Sequence, residues 1–300
     1  MRRLKGLVRE RKIQIVHTHS PYMGVGARLA LNPRRGLLLV HTEHNVWESY
    51  HPLTRRGNLM TFPSNDHVFA VSRHVRDSIR YPAALRFMRM PPVETLYHGL
   101  DPASIDGWSP EGDVRRSLGV PPGAPLVGTV ANFRLEKGHS YLLQAAVEVR
   151  RVLPEARFVL VGQGPLEQPL RKQVASLQLE DSVIFAGTRS DVPRLTASFD
   201  IFALPSIHEG LSIALIEALA VGTPAVVTRT GGITEVVSDG ATAIVVPPRD
   251  PDALASAIVA LLTDKELRLR LSRAGKVRAA QFDIRVATRR IESLYREILA

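Results

Sequence analysis

A chain of 300 residues that is 45% hydrophobic can bury one large core or two ordinary ones, and its length favours about two domains. The absence of cysteine removes disulfides, thiolate metal sites and cysteine nucleophiles together, so stability rests on packing and any chemistry on other groups. A formal charge of +10, carried mainly by arginine, suits a polyanionic partner such as nucleic acid, an anionic membrane face or a diphosphate ligand. It fits an arginine-rich genomic composition equally well, and no motif beyond charge supports specific nucleic-acid recognition.

The first segment holds Arg2, Arg3, Lys5, Arg9, Arg11 and Lys12 interleaved with Leu4, Leu7 and Val8. It is too densely charged for a signal-peptide core, and no apolar run reaches the roughly 18 residues of a membrane span. The expectation is a soluble or peripheral chain, cytoplasmic, with possible contact at an anionic inner membrane face. The segment reads either as a basic amphipathic helix of the membrane-surface type or as an ordinary solvated helix.

Strand-like runs at 13–17, 37–41, 67–71 and 93–97 alternate with helix-like segments and predict a first βα-repeating block. A Pro/Gly-rich zone over 101–125, with Asp106-Gly107, Ser109-Pro110 and Pro121-Pro122-Gly123, marks a boundary. The second block repeats the pattern with strands at 126–130, 157–161, 183–186, 201–203, 225–227 and 243–246. Helix-length crossovers make the strands parallel. From Asp250 the tail reads as helical throughout, with Asp250 as N-cap and Pro251 at the first helical position. The fold class is α/β with doubly wound parallel sheets, divided into domains 1–110 and 111–283 and a C-terminal helix 284–300 that can return to the first domain.

Ligands of open α/β sheets bind beyond the carboxyl ends of strands, and four loops of the second block lie there. After Val130, Arg134 and Lys137 precede a helix that begins near His139, so both can approach one anion or simply stay solvated. Gly162-Gln163-Gly164-Pro165-Leu166-Glu167 looks like a dinucleotide fingerprint but has Glu167 in place of the third glycine, which argues against a nicotinamide cofactor. Gly187-Thr188-Arg189 can meet the edge of a flat heterocycle. The fourth loop opens on Ser206 and holds Glu209 and Gly210, and the stretch 210–220 predicts a helix apolar nearly all round, closing at Gly222.

Glu217 is the anomaly in that helix. A carboxylate there is costly unless it is ligand-facing or salt-bridged to a nearby arginine, and both readings stand. Eight residues separate Glu209 from Glu217, about 12 Å of helix, enough for one elongated ligand to touch both. Its phosphates would then lie near the amides of Gly210, Leu211 and Ser212 at the positive end of the helix.

The Glu209-x7-Glu217 spacing after Ser206, followed by Gly231-Gly232-Ile233-Thr234-Glu235 and Asp239-Gly240, resembles glycosyltransferase family 4, the glycosyl transferases group 1. Val130 to Gly138, the Gly162-Gln163-Gly164-Pro165 loop, Gly187 and Val246-Pro247-Pro248 follow the same family pattern in the same order. The resemblance implies a GT-B architecture of two Rossmann-like domains facing a cleft, and a retaining, metal-independent transfer of sugar from a nucleotide-diphosphate-sugar donor to a glycan, lipid or small-molecule acceptor. The donor is substrate, and no cofactor is implied. Residue by residue, it assigns Arg134 and Lys137 to the leaving diphosphate and Glu209 through Ser212 to sugar hydroxyls and phosphate. Glu217 falls to the ribose, and Gly162 and the turn Gly187, Thr188 and Arg189 complete the donor site.

His44, in Val40-His41-Thr42-Glu43-His44-Asn45, is the corresponding candidate for the transferred sugar or acceptor. The sequence departs from the family pattern where Asn132 replaces a common arginine, and where the glycine-rich first loop and first βα units are not found, which makes the amino-terminal domain incomplete. Three other readings follow from these features: a donor-binding protein inactive in transfer, a nucleotide-sugar epimerase on a similar scaffold, and a metal enzyme using His17, His19, His41, Glu43 and His44, for which no recognised ligand spacing exists.

Overall fold

The computed structural model describes residues 2–31, 36–82, 89–104 and 112–299. The chain forms two compact units, one of residues 1–98 with 284–300 and one of residues 99–283. The boundary expected at 110 lies outside the described residues. Gly99 and Leu100 already belong to the second unit, because the Leu100 amide donates to the Phe282 carbonyl at 2.8 Å.

The first unit runs α1 (Arg2–Glu10), β1 (Ile15–Thr18), α2 (Pro21–Ala30), β2 (Leu38–Glu43), α3 (Pro52–Thr61), β3 (His67–Ala70), α4 (Arg73–Ser78) and β4 (Val93–Thr95). Its strands pair in parallel in the order β1-β2-β3-β4. Pro21 and Pro52 open α2 and α3 at positions where the missing N–H costs nothing, and Ser72 caps α4 by accepting from the Val75 amide at 3.1 Å. Side chains alternate across β2. Leu39 packs with Ala27, Ala30 and Leu31 of the α2 segment, with Leu4 and Val8 of α1 against the same cluster, whereas Val40 joins Phe69 and Leu96 on another core.

The second unit runs α5 (Gly112–Ser117), β5 (Leu126–Val130), α6 (His139–Val152), β6 (Arg157–Val161), α7 (Glu167–Ser176), β7 (Val183–Gly187), α8 (Val192–Ala197), β8 (Ile201–Leu204), α9 (Ile213–Val221), β9 (Ala225–Thr228), α10 (Ile233–Val236), β10 (Ile244–Val246), α11 (Pro251–Thr263) and α12 (Lys265–Ala279). Its parallel strands lie in the order β10-β9-β8-β5-β6-β7. The order therefore reverses between β5 and β8, the switch point of a doubly wound sheet. In the first sheet the described strands follow one another without such a reversal. Strands β5, β6, β8 and β9 are buried on both faces, which is why they read as unbroken apolar runs.

The helical tail divides into α11, α12 and α13 (Ile284–Leu299). Asp250 caps α11 through the Ala253 amide at 2.9 Å, and Asp264 ends α11 and caps α12 through the Leu267 amide at 2.9 Å. Helix α13 belongs to the first unit. Ala287 and Leu294 are buried against Val40, Phe69 and Leu96, with Ile291, Tyr295 and Ile298 packed beside them, a spacing that keeps one helical stripe on the sheet. Arg290 adds a bidentate pair to Glu94 on β4, both bonds at 2.8 Å.

Candidate functional site

The carboxyl ends of β5, β6 and β8, at the switch point, open onto a cavity of about 320 Å³ within the second unit. Asn132 and Lys137 reach it from the loop after β5, Gly162 from the end of β6, Thr188 and Arg189 from the turn after β7, and Glu209, Leu211 and Ser212 from the loop after β8.

Each loop is set by local constraints. Phe133 is fully buried, its amide donating to the Gln163 carbonyl at 2.9 Å. Its neighbours Asn132 and Arg134 are exposed, yet only Asn132 lines the cavity. Arg134 stands at the entry of the short 3-10 turn Leu135–Lys137, which delivers Lys137. Gly162 sits at φ +136 with its amide donating to the Gly187 carbonyl at 2.8 Å, and a Cβ there would overlap the Ala131 carbonyl. Glycine is therefore required at Gly162 for two backbones to approach.

Lys137 and Glu209 meet in the cavity wall. The Lys137 ammonium donates to both Glu209 carboxylate oxygens at 2.7 and 2.9 Å, and the Ser206 hydroxyl donates to one of them at 3.1 Å. Glu209 is 8% exposed and Lys137 23%, so the pair is held in place and still reaches the cavity. The loop is pinned beneath them: the Ile207 amide donates to the Glu136 carbonyl at 2.7 Å, the Gly232 amide to the Glu209 carbonyl at 3.1 Å, and the Thr230 hydroxyl to the Ile207 carbonyl at 2.8 Å. Arg189 is likewise paired, donating to both Asp191 oxygens at 2.7 and 2.8 Å, which holds the Asp191 carboxyl below its usual range.

The helix expected over 210–220 begins three residues later. Ser212 is its N-cap in extended conformation, accepting from the Leu215 amide at 3.2 Å, so Gly210, Leu211 and Ser212 form the entry loop. The positive end of α9 is carried instead by Ile213 and Ala214, both of which line the cavity. Cavity lining includes Gly162, Thr188, Arg189, Leu211, Ser212, Lys137 and Glu209, but not Arg134, Gly187, Gly210 or Glu217.

Glu217 is half-buried, and burial raises its carboxyl above the usual range. The salt bridge to an arginine is not formed: among the described residues Glu217 has no ion-pair or hydrogen-bond partner. Sequence reasoning passed over Asp191 as the partner of Arg189 and the cavity positions Ile213 and Ala214. Opposite charges two residues apart signalled the first, whereas the second pair depended on where the helix begins.

In the first unit, the strand ends gather histidines. His17 on β1 shares hydrogen bonds with the Tyr295 hydroxyl at 2.6 Å and the Thr42 hydroxyl at 2.7 Å, and stacks on His19 at 4.3 Å. His44 is hydrogen-bonded to His19 at 3.3 Å and stacks on His98 at 4.9 Å. Burial, then the neighbouring rings, lowers His17 to about 3 and His44 to about 4, so both are neutral at pH 7. Among the described residues no three His, Asp or Glu side chains are arranged to hold a metal ion.

Known proteins resemble this chain in sequence and in fold. The family model for glycosyl transferases group 1 matches residues 111–278, and that for glycosyltransferase family 4 matches residues 1–104. An alpha-D-kanosaminyltransferase of Streptomyces kanamyceticus is 33% identical over 177 residues, 58% of this chain and 46% of the relative. A GDP-mannose-dependent alpha-(1-6)-phosphatidylinositol monomannoside mannosyltransferase of Mycolicibacterium smegmatis is 31% identical over 294 residues, covering 91% of this chain and 74% of the relative. The chain thus spans between about half and three quarters of these two relatives. Among solved structures, HepE of Anabaena in complex with UDP and glucose superposes with a TM-score of 0.85 at 22% identity, over 98% of this chain and 81% of that one. The fold is GT-B, and the chain belongs to the glycosyl transferases group 1.

Proposed function

We propose that the chain binds a nucleotide-diphosphate sugar in the second-unit cavity and takes part in retaining transfer of the sugar to a glycan, lipid or small-molecule acceptor. The observation that carries this is the Lys137–Glu209 pair placed beside the free amides of α9 at the switch point. An ammonium holding a carboxylate through two contacts keeps donor capacity for a phosphate oxygen, and helix-end amides stabilise the negative charge that grows on a leaving diphosphate. Arg134, exposed at the loop edge, closes on the same phosphates once a donor is seated. These groups supply the positive charge that a metal would otherwise bring.

Glu209 and Ser212 accept or donate to sugar hydroxyls and phosphate, with Gly210 and Leu211 shaping that loop. Glu217, without a partner among the described residues, receives the ribose hydroxyls. The turn Gly187, Thr188 and Arg189 frames the base, and Gly162 leaves room for the diphosphate. The bond from the anomeric carbon to the diphosphate breaks as a bond to the acceptor oxygen forms on the same face, and the acceptor proton passes to a diphosphate oxygen. His44, neutral and able to donate one hydrogen bond, is assigned to the sugar or acceptor. The cationic helix α1 adds peripheral contact with an anionic membrane, consistent with a cytoplasmic enzyme whose acceptor is a lipid or a lipid-linked glycan.

The test is thermal stabilisation by nucleoside diphosphates and their sugars, because a ligand that binds the native state raises its stability by about 2.7 kcal/mol at 100 times Kd. At least one diphosphate is expected to raise the melting temperature, with the effect lost in Lys137→Ala. No stabilisation by any nucleoside diphosphate overturns the reading.

A further inference from the structure

In the first unit, α2 and α3 are turned inside out. Helix α2 has one charged residue, Arg28, and it is 5% exposed, while Tyr22, Met23 and Leu29 are 68%, 70% and 70% exposed. Tyr22 and Leu29 share a stripe with Gly26. The neighbouring α3 repeats part of this: Thr54, Asn58 and Thr61 are buried, while Leu53 and Met60 are exposed beside Arg55 and Arg56.

The buried polar groups explain how the interior tolerates this. The Arg28 guanidinium donates to the Asn58 amide oxygen at 2.5 Å and to the Thr61 hydroxyl at 3.0 Å, and the Thr61 hydroxyl donates to the Gly57 carbonyl at 2.7 Å. Gly57 lets α3 come close to Val25 of α2, where an added Cβ would lie 3.1 Å from the valine methyl. The helix pair is thus zipped by polar contacts inside, with an uncharged outer side on α2 and a mixed apolar and arginine side on α3, whereas surface helices of soluble proteins ordinarily turn their apolar residues inward. Exposed leucines scattered singly carry no message, but the uncharged exposed side of α2, continued by Leu53 and Met60 of α3, does.

The surroundings select the partner. Helix α1 packs Leu4 and Val8 inward against the Ala27, Ala30 and Leu31 cluster, so it has little apolar surface of its own to insert. What it presents is charge: segment 2–12 has six basic residues and one acid, Glu10. Arg55 and Arg56 continue the basic character on the exposed side of α3. None of these eight cations forms an ion pair among the described residues.

We infer that the exposed apolar side of α2 and α3, flanked by the cations of α1, is a docking face for an anionic lipid bilayer, with Tyr22, Met23, Leu29, Leu53 and Met60 entering the headgroup and acyl boundary. Apolar side chains rimmed by unpaired Lys and Arg are the composition of interfacial attachment. The inference rests on the membrane contact assigned above to α1, but moves the insertion to two other helices and leaves α1 the electrostatic share.

Because the chain has no cysteine, single reporters can be placed cleanly. Met23→Cys, Met60→Cys and, as control, Val277→Cys on α12 would each receive an environment-sensitive dye and be mixed with phosphatidylcholine vesicles, plain or carrying about 30% phosphatidylglycerol. The dyes at 23 and 60 are expected to shift to the blue on anionic vesicles, with the dye at 277 unchanged. Tyr22→Ser with Leu29→Ser and Met60→Ser should lower partitioning by about tenfold or more with an unchanged melting temperature.

Vesicle association without a blue shift at 23 and 60 overturns the inference and leaves the contact of α1 standing. No association at all overturns both. Equal association with plain phosphatidylcholine removes the role of the cations and overturns it. A blue shift in buffer that grows with protein concentration assigns the face to a second copy of the chain and overturns it as well.

Discussion

The two units solve one problem in opposite ways. Each ends parallel strands in polar side chains that are largely withdrawn from water. In the second unit those side chains are matched with a counter-charge, Lys137 with Glu209 and Arg189 with Asp191, each pair at 2.7 Å. In the first unit His17, His19, His44 and His98 lie among one another, and desolvation is the largest influence on each, so the rings shed their protons. Withdrawal from water penalises a charge in either case, and the outcome depends on whether a counter-charge sits within reach. The second unit thereby keeps paired charges at its strand ends, the feature on which the proposed diphosphate site rests, and the first keeps neutral donors and acceptors.

The sharpest way to break the comparison is at the backbone that shapes the charged site. Gly162→Ala combines a positive φ with overlap on the Ala131 carbonyl and should cost about 3 kcal/mol or more and abolish diphosphate binding. Gly187→Ala also faces a positive φ of +64, but a Cβ there has nothing within 4 Å, and about 1 kcal/mol is expected. Urea denaturation of both variants reads the difference. Equal costs would mean that the close approach of the β5 and β6 loops is not what Gly162 provides.

Next comes the pair itself. Lys137→Ala leaves Glu209, 8% exposed, without its cation. A loss of about 1–3 kcal/mol in stability is expected, along with at least tenfold weaker diphosphate binding. Adding Glu209→Gln should recover part of the stability and none of the affinity, as a double-mutant cycle would measure. Recovery of both would assign the pair a purely structural role.

Much of this contrast was legible in the chain itself. The ten strands of the described residues lie where the runs predict, most closely for β5, β6, β8 and β9, because parallel strands buried on both faces must be apolar throughout. Loop chemistry was legible where residue type alone decides it, as with Lys137, Glu209 and Gly162. It was not legible where direction decides. Burial of Phe133 aims Asn132 into the cavity in place of Arg134, and the extended Ser212 cap delays α9 so that Ile213 and Ala214 present the amides. The polar contact between α2 and α3 was equally hidden, since Arg28, Asn58 and Thr61 look like surface residues until the hydrogen bonds of Arg28 to the other two are seen.

The neutral side of the comparison can be tested by acid. In the native state His17 protonates only near 3 and His44 near 4, against 6.5 for a solvent-exposed imidazole. Below pH 6.5 the unfolded chain binds protons that the native first unit refuses, so stability should fall as pH drops from about 6.5 towards 4. His139 of the second unit, lowered to about 4 mainly by burial, gives that unit a smaller slope of the same sign. Hydrogen exchange at pH 7.5 and pH 5 separates the units. The first should lose more protection, and His17→Gln should reduce the loss. A steeper decline in the second unit would refute the assignment.

The smallest effect is expected at Glu217, where the two strategies meet. Here a carboxyl is half-buried like its charged neighbours yet has no counter-charge among the described residues, and burial raises its pKa from 4.5. A raised carboxyl works against the native state: the penalty is absent while both states are protonated and grows as pH rises through 4.5 to the native value. Glu217→Gln should therefore leave stability unchanged at low pH and raise it slightly at pH 7, within about 1 kcal/mol. Binding should move the other way. If the carboxylate receives ribose hydroxyls, the amide weakens a nucleoside diphosphate several-fold while inorganic diphosphate, which has no ribose, binds as before. Equal weakening of both ligands would place Glu217 at the phosphates, and no weakening of either would leave it a carboxyl without a ligand.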